Sequence, residues 1–309
     1  MILFWIAVFV VSLLVLVKGA DFLLGSSEKI GLAAGLSPFV VGVVIVGLGT
    51  SFPELISGIS AILQGAPEIV AANAIGSNIA NILLVVGFSA LFARRLSVTK
   101  DLIDIEIPLL AVSTVLFVGV AIDGSITFVE SLIIFLTYQI YLLYTIFHRD
   151  GTEEPASKRP KVTKKDILLL ILGVAGLVLG AKYLVLSVIS LSEILNIATG
   201  AIALAAVALG TSLPELLVSI KAAKAGNAEV ALGNIFGSNA FNLLMVVGIP
   251  GLFATLPLDE KTVTLGIPVL LASTFLFIVS GISKRIHMWE GAMYLMVYIL
   301  FIGKLFNLF

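Results

Sequence analysis

The stretch GLGTSFPELISG, residues 47–58, sets a carboxylate, Glu54, directly after a proline, Pro53, inside an apolar run that extends from about Leu36 to about Leu63. A charge next to a helix breaker in the middle of such a run needs a reason, and the surrounding sequence supplies it. The chain has 309 residues, of which 60% are hydrophobic and 12% charged. Its mean hydropathy is +1.18. That is more apolar side chain than a soluble domain can enclose, so the sequence reads as an integral membrane protein.

About 20 apolar residues span the ~30 Å hydrocarbon layer as a helix. Runs of about that length fall near 2–24, 36–63, 69–92, 103–122, 126–147, 167–190, 198–224, 229–253, 263–282 and 287–307. The first is too long, and too polar at Lys18 and Asp21, for a cleaved signal peptide, and is expected to be a permanent helix. There is no cysteine, which excludes disulfides and thiolate metal sites.

The tract HRDGTEEPASKRPKVTKKD, residues 148–166, contains Pro155 and Pro160, lacks apolar periodicity and reads as a polar linker. It divides the chain into a first five-helix unit, 1–147, and a second, 167–309. With the linker on the cytoplasmic face, Lys29, Arg94, Arg95, Lys100, Lys221, Lys224, Lys284 and Arg285 lie on the same side. Together with the linker's own bases these make 14 of the 18 Lys and Arg residues. Cationic loops are retained in the cytoplasm, so both termini are expected outside, in a multi-pass protein of the cell membrane.

The two units are copies. LGTSFPELISG at 48–58 matches LGTSLPELLVS at 209–219 in seven of eleven positions, and NAIGSNIANILLVVG at 73–87 matches NIFGSNAFNLLMVVG at 234–248 in nine of fifteen, both at an offset of 161. IPLLAVSTVLF at 107–117 pairs with IPVLLASTFLF at 267–277 at an offset of 160. Five helices per unit is an odd number, so the second unit enters the membrane from the opposite side. The expected fold is all-α, with ten transmembrane helices in two inverted repeats, an arrangement that places substrate sites near the midplane of secondary transporters.

Glu54 and its copy Glu215 are the only acidic residues that fall deep within these runs. An ionised group there costs a few kcal/mol, about 2.5–3.5 for Asp on an insertion scale, and no Lys or Arg lies at comparable depth to neutralise it. Pro53 and Pro214 cannot donate to the carbonyls of Gly49 and Gly210, so the helix is expected to break at both places. Broken backbone at membrane depth lines cavities. Freed carbonyls and the hydroxyls of Thr50, Ser51, Thr211 and Ser212 would add neutral oxygens to two carboxylates, the donor set of a hard cation such as Ca²⁺. The GSN motifs at 76–78 and 237–239 permit close helix approach, and Asn81 and Asn242 follow Ser77 and Ser238 at a helical spacing of four.

These paired motifs, GLGTSFPELISG and GNIFGSNAFN with their copies, resemble the two α-repeats of the sodium/calcium exchanger family, within the calcium/cation antiporter superfamily. The resemblance covers all ten runs. It implies exchange of Ca²⁺ for Na⁺ by alternating access, both ions being substrates and no cofactor or catalytic residue being required. By the same resemblance Glu54 and Glu215 are the chief Ca²⁺ ligands, completed by main-chain oxygens of Thr50 and Thr211. Ser77 and Ser238, with main-chain oxygens of Gly47 and Ala208, serve flanking Na⁺ sites. Asn81 and Asn242 line the middle, and Ser51 and Ser212 belong to the motif. Some relatives, the potassium-dependent exchangers among them, carry Asp at the position of Asn242, and Asn there resembles the potassium-independent ones.

Proton/calcium exchange and a Ca²⁺ channel remain open as alternatives. An intramembrane hydrolase does not, since neither His148 nor His287 is deep enough to act as a base there. Glu130 and Glu290, at equivalent helix starts, are expected to be interfacial. The bilayer is the expected environment, with no nucleic-acid partner, and function as a monomer is expected.

Overall fold

The computed structural model describes residues 1–34, 49–98, 103, 106–147, 160–226 and 228–308. Almost all of it is helical. The chain opens with α1 (Ile2–Ala34), resumes with α2 (Phe52–Leu63) and continues into α3 (Glu68–Ala93), α4 (Ile107–Ala121) and α5 (Phe128–Phe147). After the linker come α6 (Lys164–Leu195), α7 (Thr199–Thr211), α8 (Leu213–Lys224) and α9. This last helix starts as Ala228–Phe241 and passes through a π-helical stretch, Asn242–Val246, to Gly248–Gly251. The helices α10 (Thr262–Ile282) and α11 (Met288–Leu305) complete the chain. Among the described residues six helices are long and apolar enough to cross a membrane, or seven if α7 and α8, bent by 42° at their junction, form one span.

Two helices overrun the expected segments. α1 continues to Ala34 where the apolar run ends near residue 24, and α6 starts at Lys164 and ends at Leu195 where 167–190 was expected. Hydropathy marks the edge of the hydrocarbon, and polar residues such as those of SSEK at 26–29 do not end a helix unless they cap it. At 1.5 Å per residue the two helices are each about 50 Å long, well beyond the ~30 Å layer. Thr163 starts α6 through a capping box, with Asp166 accepting from its backbone N–H at 2.7 Å. Asp166 also receives Lys29 Nζ at 2.7 Å, which ties the end of α1 to the start of α6.

α1 and α6 lie antiparallel with their backbones in contact. A Cβ on Gly19 would fall 2.7 Å from the backbone N of Leu177, and one on Gly180 2.7 Å from that of Leu16. The pair is peripheral: 17% of the most apolar stretch of α1 is buried, against 94% for α3. α3 and α9 therefore form the centre, and α2, α4, α8, α10 and α11 pack around them.

Two short antiparallel ladders clasp the halves together. β1 (Arg95–Ser97) pairs with β4 (Arg285–His287), and β2 (Ser125–Ile126) with β3 (Leu256–Pro257). β3 is the repeat copy of β1, and β4 that of β2, so the offset between the halves exchanges one ladder for the other. The π-helical stretch of α9 likewise has its copy in α3, at Ala80–Val85.

Candidate functional site

The sites of expected helix breakage carry the two acids. In the second half α7 stops at Thr211 and α8 starts at Leu213, with Ser212 between them at φ −79°, ψ 6°. In the first half Ser51 precedes α2 at φ −93°, ψ 9°. Pro53 and Pro214 thus occupy the first turn of a helix, where the absent N–H costs nothing. Glu54 and Glu215 follow in the same turn, beside helix N-terminal N–H groups that favour negative charge. The proline in each motif therefore starts a helix with its carboxylate at the positive end, and in the second half it also follows the end of the preceding segment.

Both acids are wholly buried, as are Ser51, Ser77, Asn81, Thr211, Ser238 and Asn242, with Thr50, Ser212 and Ala208 nearly so. The contacts cross between the halves. Ser51 Oγ of the first half donates to Glu215 Oε1 of the second at 3.1 Å. Glu54 has no matching bond: Thr211 Oγ1 of the second half donates to the Val207 and Ala208 carbonyls at 3.1 and 3.4 Å, and both Glu54 oxygens are without a partner among the described residues. Glu215 also feels the charge of Glu54. Thr50 Oγ1 lies 3.3 Å from Ser238 Oγ, and Asn81 Nδ2 donates to Asn239 Oδ1 at 3.2 Å.

The oxygens left over are the main feature of the cluster. Glu54 Oε1 and Oε2, Glu215 Oε2, Ser77 Oγ, Ser212 Oγ, Asn81 Oδ1 and Asn242 Oδ1 are buried and have no hydrogen-bond partner among the described residues. Buried acceptors without donors cost free energy, carboxylates most of all. Among the described residues no third His, Cys, Asp or Glu joins the pair. The unpartnered acceptors at the cluster are all oxygens, and three of them belong to the two carboxyl groups.

Of the expected ligands, Gly47 lies outside the described residues; hydrogen bonds link Ser51 to Glu215 and Thr50 to Ser238, Asn81 reaches Asn239 rather than a carboxylate, and the side chains of Ser77, Ser212 and Asn242 are buried with no hydrogen-bond partner among the described residues. The Ala208 carbonyl accepts the Ser212 N–H at 3.0 Å and, more weakly, the Thr211 hydroxyl at 3.4 Å. Glu130 accepts from Thr127 N at 2.8 Å and Glu290 from His287 N at 2.7 Å, helix-start contacts away from the cluster. Four polar residues at the cluster were not singled out in the sequence as ligands. Asn78 Nδ2 donates to the Asn239 carbonyl at 3.0 Å, and Asn234 contacts both Thr50 and Ser219. Each asparagine was visible as an identity between the halves, but nothing in one sequence tells an inward amide from a lipid-facing one.

The family described as Sodium/calcium exchanger protein matches residues 4–147 and 165–306. The chain belongs to the sodium/calcium exchanger family. This is a family of membrane transporters rather than enzymes, and the apolar helices accord with a multi-pass membrane protein. The chain is 32% identical to the sodium/calcium exchanger MaX1 of Methanosarcina acetivorans, over 97% of each. It is 30% identical to the inner membrane protein YrbG of Escherichia coli, over 88% of this chain and 86% of that protein. A solved structure of the sodium-calcium exchanger NCX_Mj, soaked with 10 mM Na⁺ and 10 mM Sr²⁺, superposes with a TM-score of 0.69 at 30% identity, covering 98% of this chain and 99% of that one.

Proposed function

We propose that this exchanger carries Ca²⁺ one way and Na⁺ the other by alternating access, without K⁺, and that Glu54 and Glu215 are the Ca²⁺ ligands. The observation that carries the reading is the set of buried, partnerless oxygens around two carboxylates. A divalent cation cancels their charge and supplies what those acceptors lack, and Ca²⁺ takes 6–8 oxygens in flexible geometry. The Thr50 and Thr211 main-chain oxygens complete the Ca²⁺ set in this scheme. Ser77, Ser238 and the Gly47 and Ala208 carbonyls serve Na⁺ on either flank, with Ser51 and Ser212 beside them and Asn81 and Asn242 between. Na⁺ filling the flanks displaces Ca²⁺ by competing for the same carboxylates.

The scheme assigns ten transmembrane helices to two inverted units, 1–147 and 167–309, joined by the cytoplasmic linker 148–166, with both termini outside and one copy sufficing for transport. The exchange of the two ladders under the repeat offset supports that symmetry. So do the contacts that cross between the halves, Ser51 to Glu215 and Thr50 to Ser238. Neutral Asn at both 81 and 242 leaves two carboxylates in the site, which supports independence from K⁺.

The test is uptake of radiolabelled Ca²⁺ into proteoliposomes under imposed Na⁺, K⁺ or H⁺ gradients. Uptake driven by an outward Na⁺ gradient alone is expected. Uptake that needs K⁺, follows a pH gradient without Na⁺, or runs downhill without a counter-ion would replace this reading with a different exchanger or a channel.

A further inference from the structure

A line of polar groups runs from the start of α9 to the flank of Glu215. Ser219 Oγ donates to the Ala231 carbonyl at 3.3 Å, and Asn234 Nδ2 donates to Ser219 Oγ at 3.2 Å. Thr50 Oγ1 then donates to Asn234 Oδ1 at 3.4 Å and lies 3.3 Å from Ser238 Oγ. A carbonyl can only accept, and a hydroxyl has one hydrogen. The Ala231 carbonyl therefore takes the hydrogen of Ser219, whose oxygen is left to accept, and this turns the Asn234 amide NH₂ toward it. The amide oxygen then faces Thr50 and takes its hydrogen. In the last contact Ser238 must be the donor.

That polarity matters because Ser238 lies on the flank of Glu215: its partner Thr50 is the chain neighbour of Ser51, whose hydroxyl bonds Glu215 Oε1 at 3.1 Å, while Glu215 Oε2 has no partner among the described residues. With its hydrogen turned to Thr50, Ser238 has only lone pairs to offer on that flank. Two acceptors facing each other are stable when a cation lies between them. With its hydrogen turned the other way, Ser238 would bond to Glu215 and compete with that cation.

We propose that Asn234, anchored by Ser219, is a positioning residue that fixes the direction of the Thr50 and Ser238 hydroxyls and so sets the Na⁺ affinity of the Ser238 and Glu215 flank. This rests on the exchange reading above. The other half lacks the device. The copy of Ser219 is Gly58, and Asn73, the copy of Asn234, has no partner for either side-chain atom among the described residues. Thr211 turns its hydroxyl back to the Val207 carbonyl at 3.1 Å, and Ser77 Oγ is without a hydrogen-bond partner among the described residues. One flank is thus polarised by the fold and the other is not.

Direct Na⁺ and Ca²⁺ binding to the purified full chain, measured by titration calorimetry, tests this for wild type, Asn234→Leu, Ser219→Ala and Ser219→Thr. Asn234→Leu and Ser219→Ala are expected to weaken Na⁺ binding about tenfold, the worth of one oriented contact to a charge, and Ca²⁺ binding by less than about threefold. Ser219→Thr, which keeps the hydroxyl, is expected to restore Na⁺ affinity. If Asn234→Leu does not fold, Ser219→Ala gives the same readout from a smaller deletion. Unchanged Na⁺ affinity, or equal losses for both ions, would overturn the assignment. Failure of the wild type to couple Ca²⁺ uptake to Na⁺ would overturn the exchange reading instead, and that uptake assay is separate from the binding comparison.

Discussion

Glu54 and Glu215 occupy matching positions but not matching environments. Both sit in the first turn of a helix behind a proline, and both are fully buried. Glu215 has one oxygen satisfied by Ser51, whereas both oxygens of Glu54 are without a partner among the described residues. Gln is nearly isosteric with Glu and keeps the acceptor oxygen, so Glu54→Gln and Glu215→Gln remove charge while leaving shape. Each halves the negative charge available to a divalent ion. Breaking a buried charge pairing costs about 3–5 kcal/mol, a factor of about 100 or more in affinity. Either variant is expected to abolish Ca²⁺ uptake in proteoliposomes while keeping a wild-type elution profile. Near-normal uptake by either would remove that carboxylate from the site.

Along α1 and α6, small residues on both helices let backbone meet backbone at several points. Gly180→Leu would drive its side chain into the backbone of Leu16, whereas a Cβ on Gly25 meets nothing within 4 Å among the described residues. Overpacking costs about 1–3 kcal/mol, so Gly180→Leu is expected to lower the melting temperature in detergent and Gly25→Leu to leave it nearly unchanged. Equal melting temperatures would contradict the close contact. At this scale the sequence was legible where a residue has only one physical use. Pro53 and Pro214 marked an expected helix break, which the second half shows at Ser212, with a helix starting at each proline, and Glu54 and Glu215 announced buried acids in an apolar protein. Gly76 of the first GSN motif does let α3 approach α7, since a Cβ there would overlap the Leu204 carbonyl. What the sequence hid depends on tertiary partners. The π-helical stretches at Ala80–Val85 and Asn242–Val246 widen the helix where Asn81 and Asn242 sit, so a regular spacing of four was only an approximation to the faces they share with Ser77 and Ser238. The two-residue and three-residue ladders are too short to leave a pattern, and the Asn234 relay exists only because Ser219 stands across from it.

For the whole molecule, the distribution of charge decides both orientation and energetics. Lys29 at the end of α1 pairs with Asp166 at the start of α6, which puts the close of the linker on the same face as the loop after α1. The basic residues concentrate on that face, so it is expected to be cytoplasmic. The chain has no cysteine, and a single one introduced at Ser157 is therefore expected to resist an impermeant thiol reagent added to intact cells; labelling would invert the topology. The same accounting, applied to the proposed exchange, gives an expected sign for the transported charge. Two carboxylates holding one Ca²⁺ are neutral, whereas two holding three Na⁺, the ratio that the family resemblance suggests, carry one positive charge. Moving that charge across the membrane is worth about 2.3 kcal/mol per 100 mV, roughly a fiftyfold bias at equilibrium. Each turnover that brings Ca²⁺ into a vesicle then removes one net positive charge. With membrane potential clamped by an ionophore, Ca²⁺ uptake driven by an outward Na⁺ gradient is expected to rise when the interior is made positive and to fall when it is made negative. Uptake indifferent to voltage would mean that the two half-cycles carry equal charge, which with two carboxylates requires two Na⁺ per Ca²⁺ rather than three.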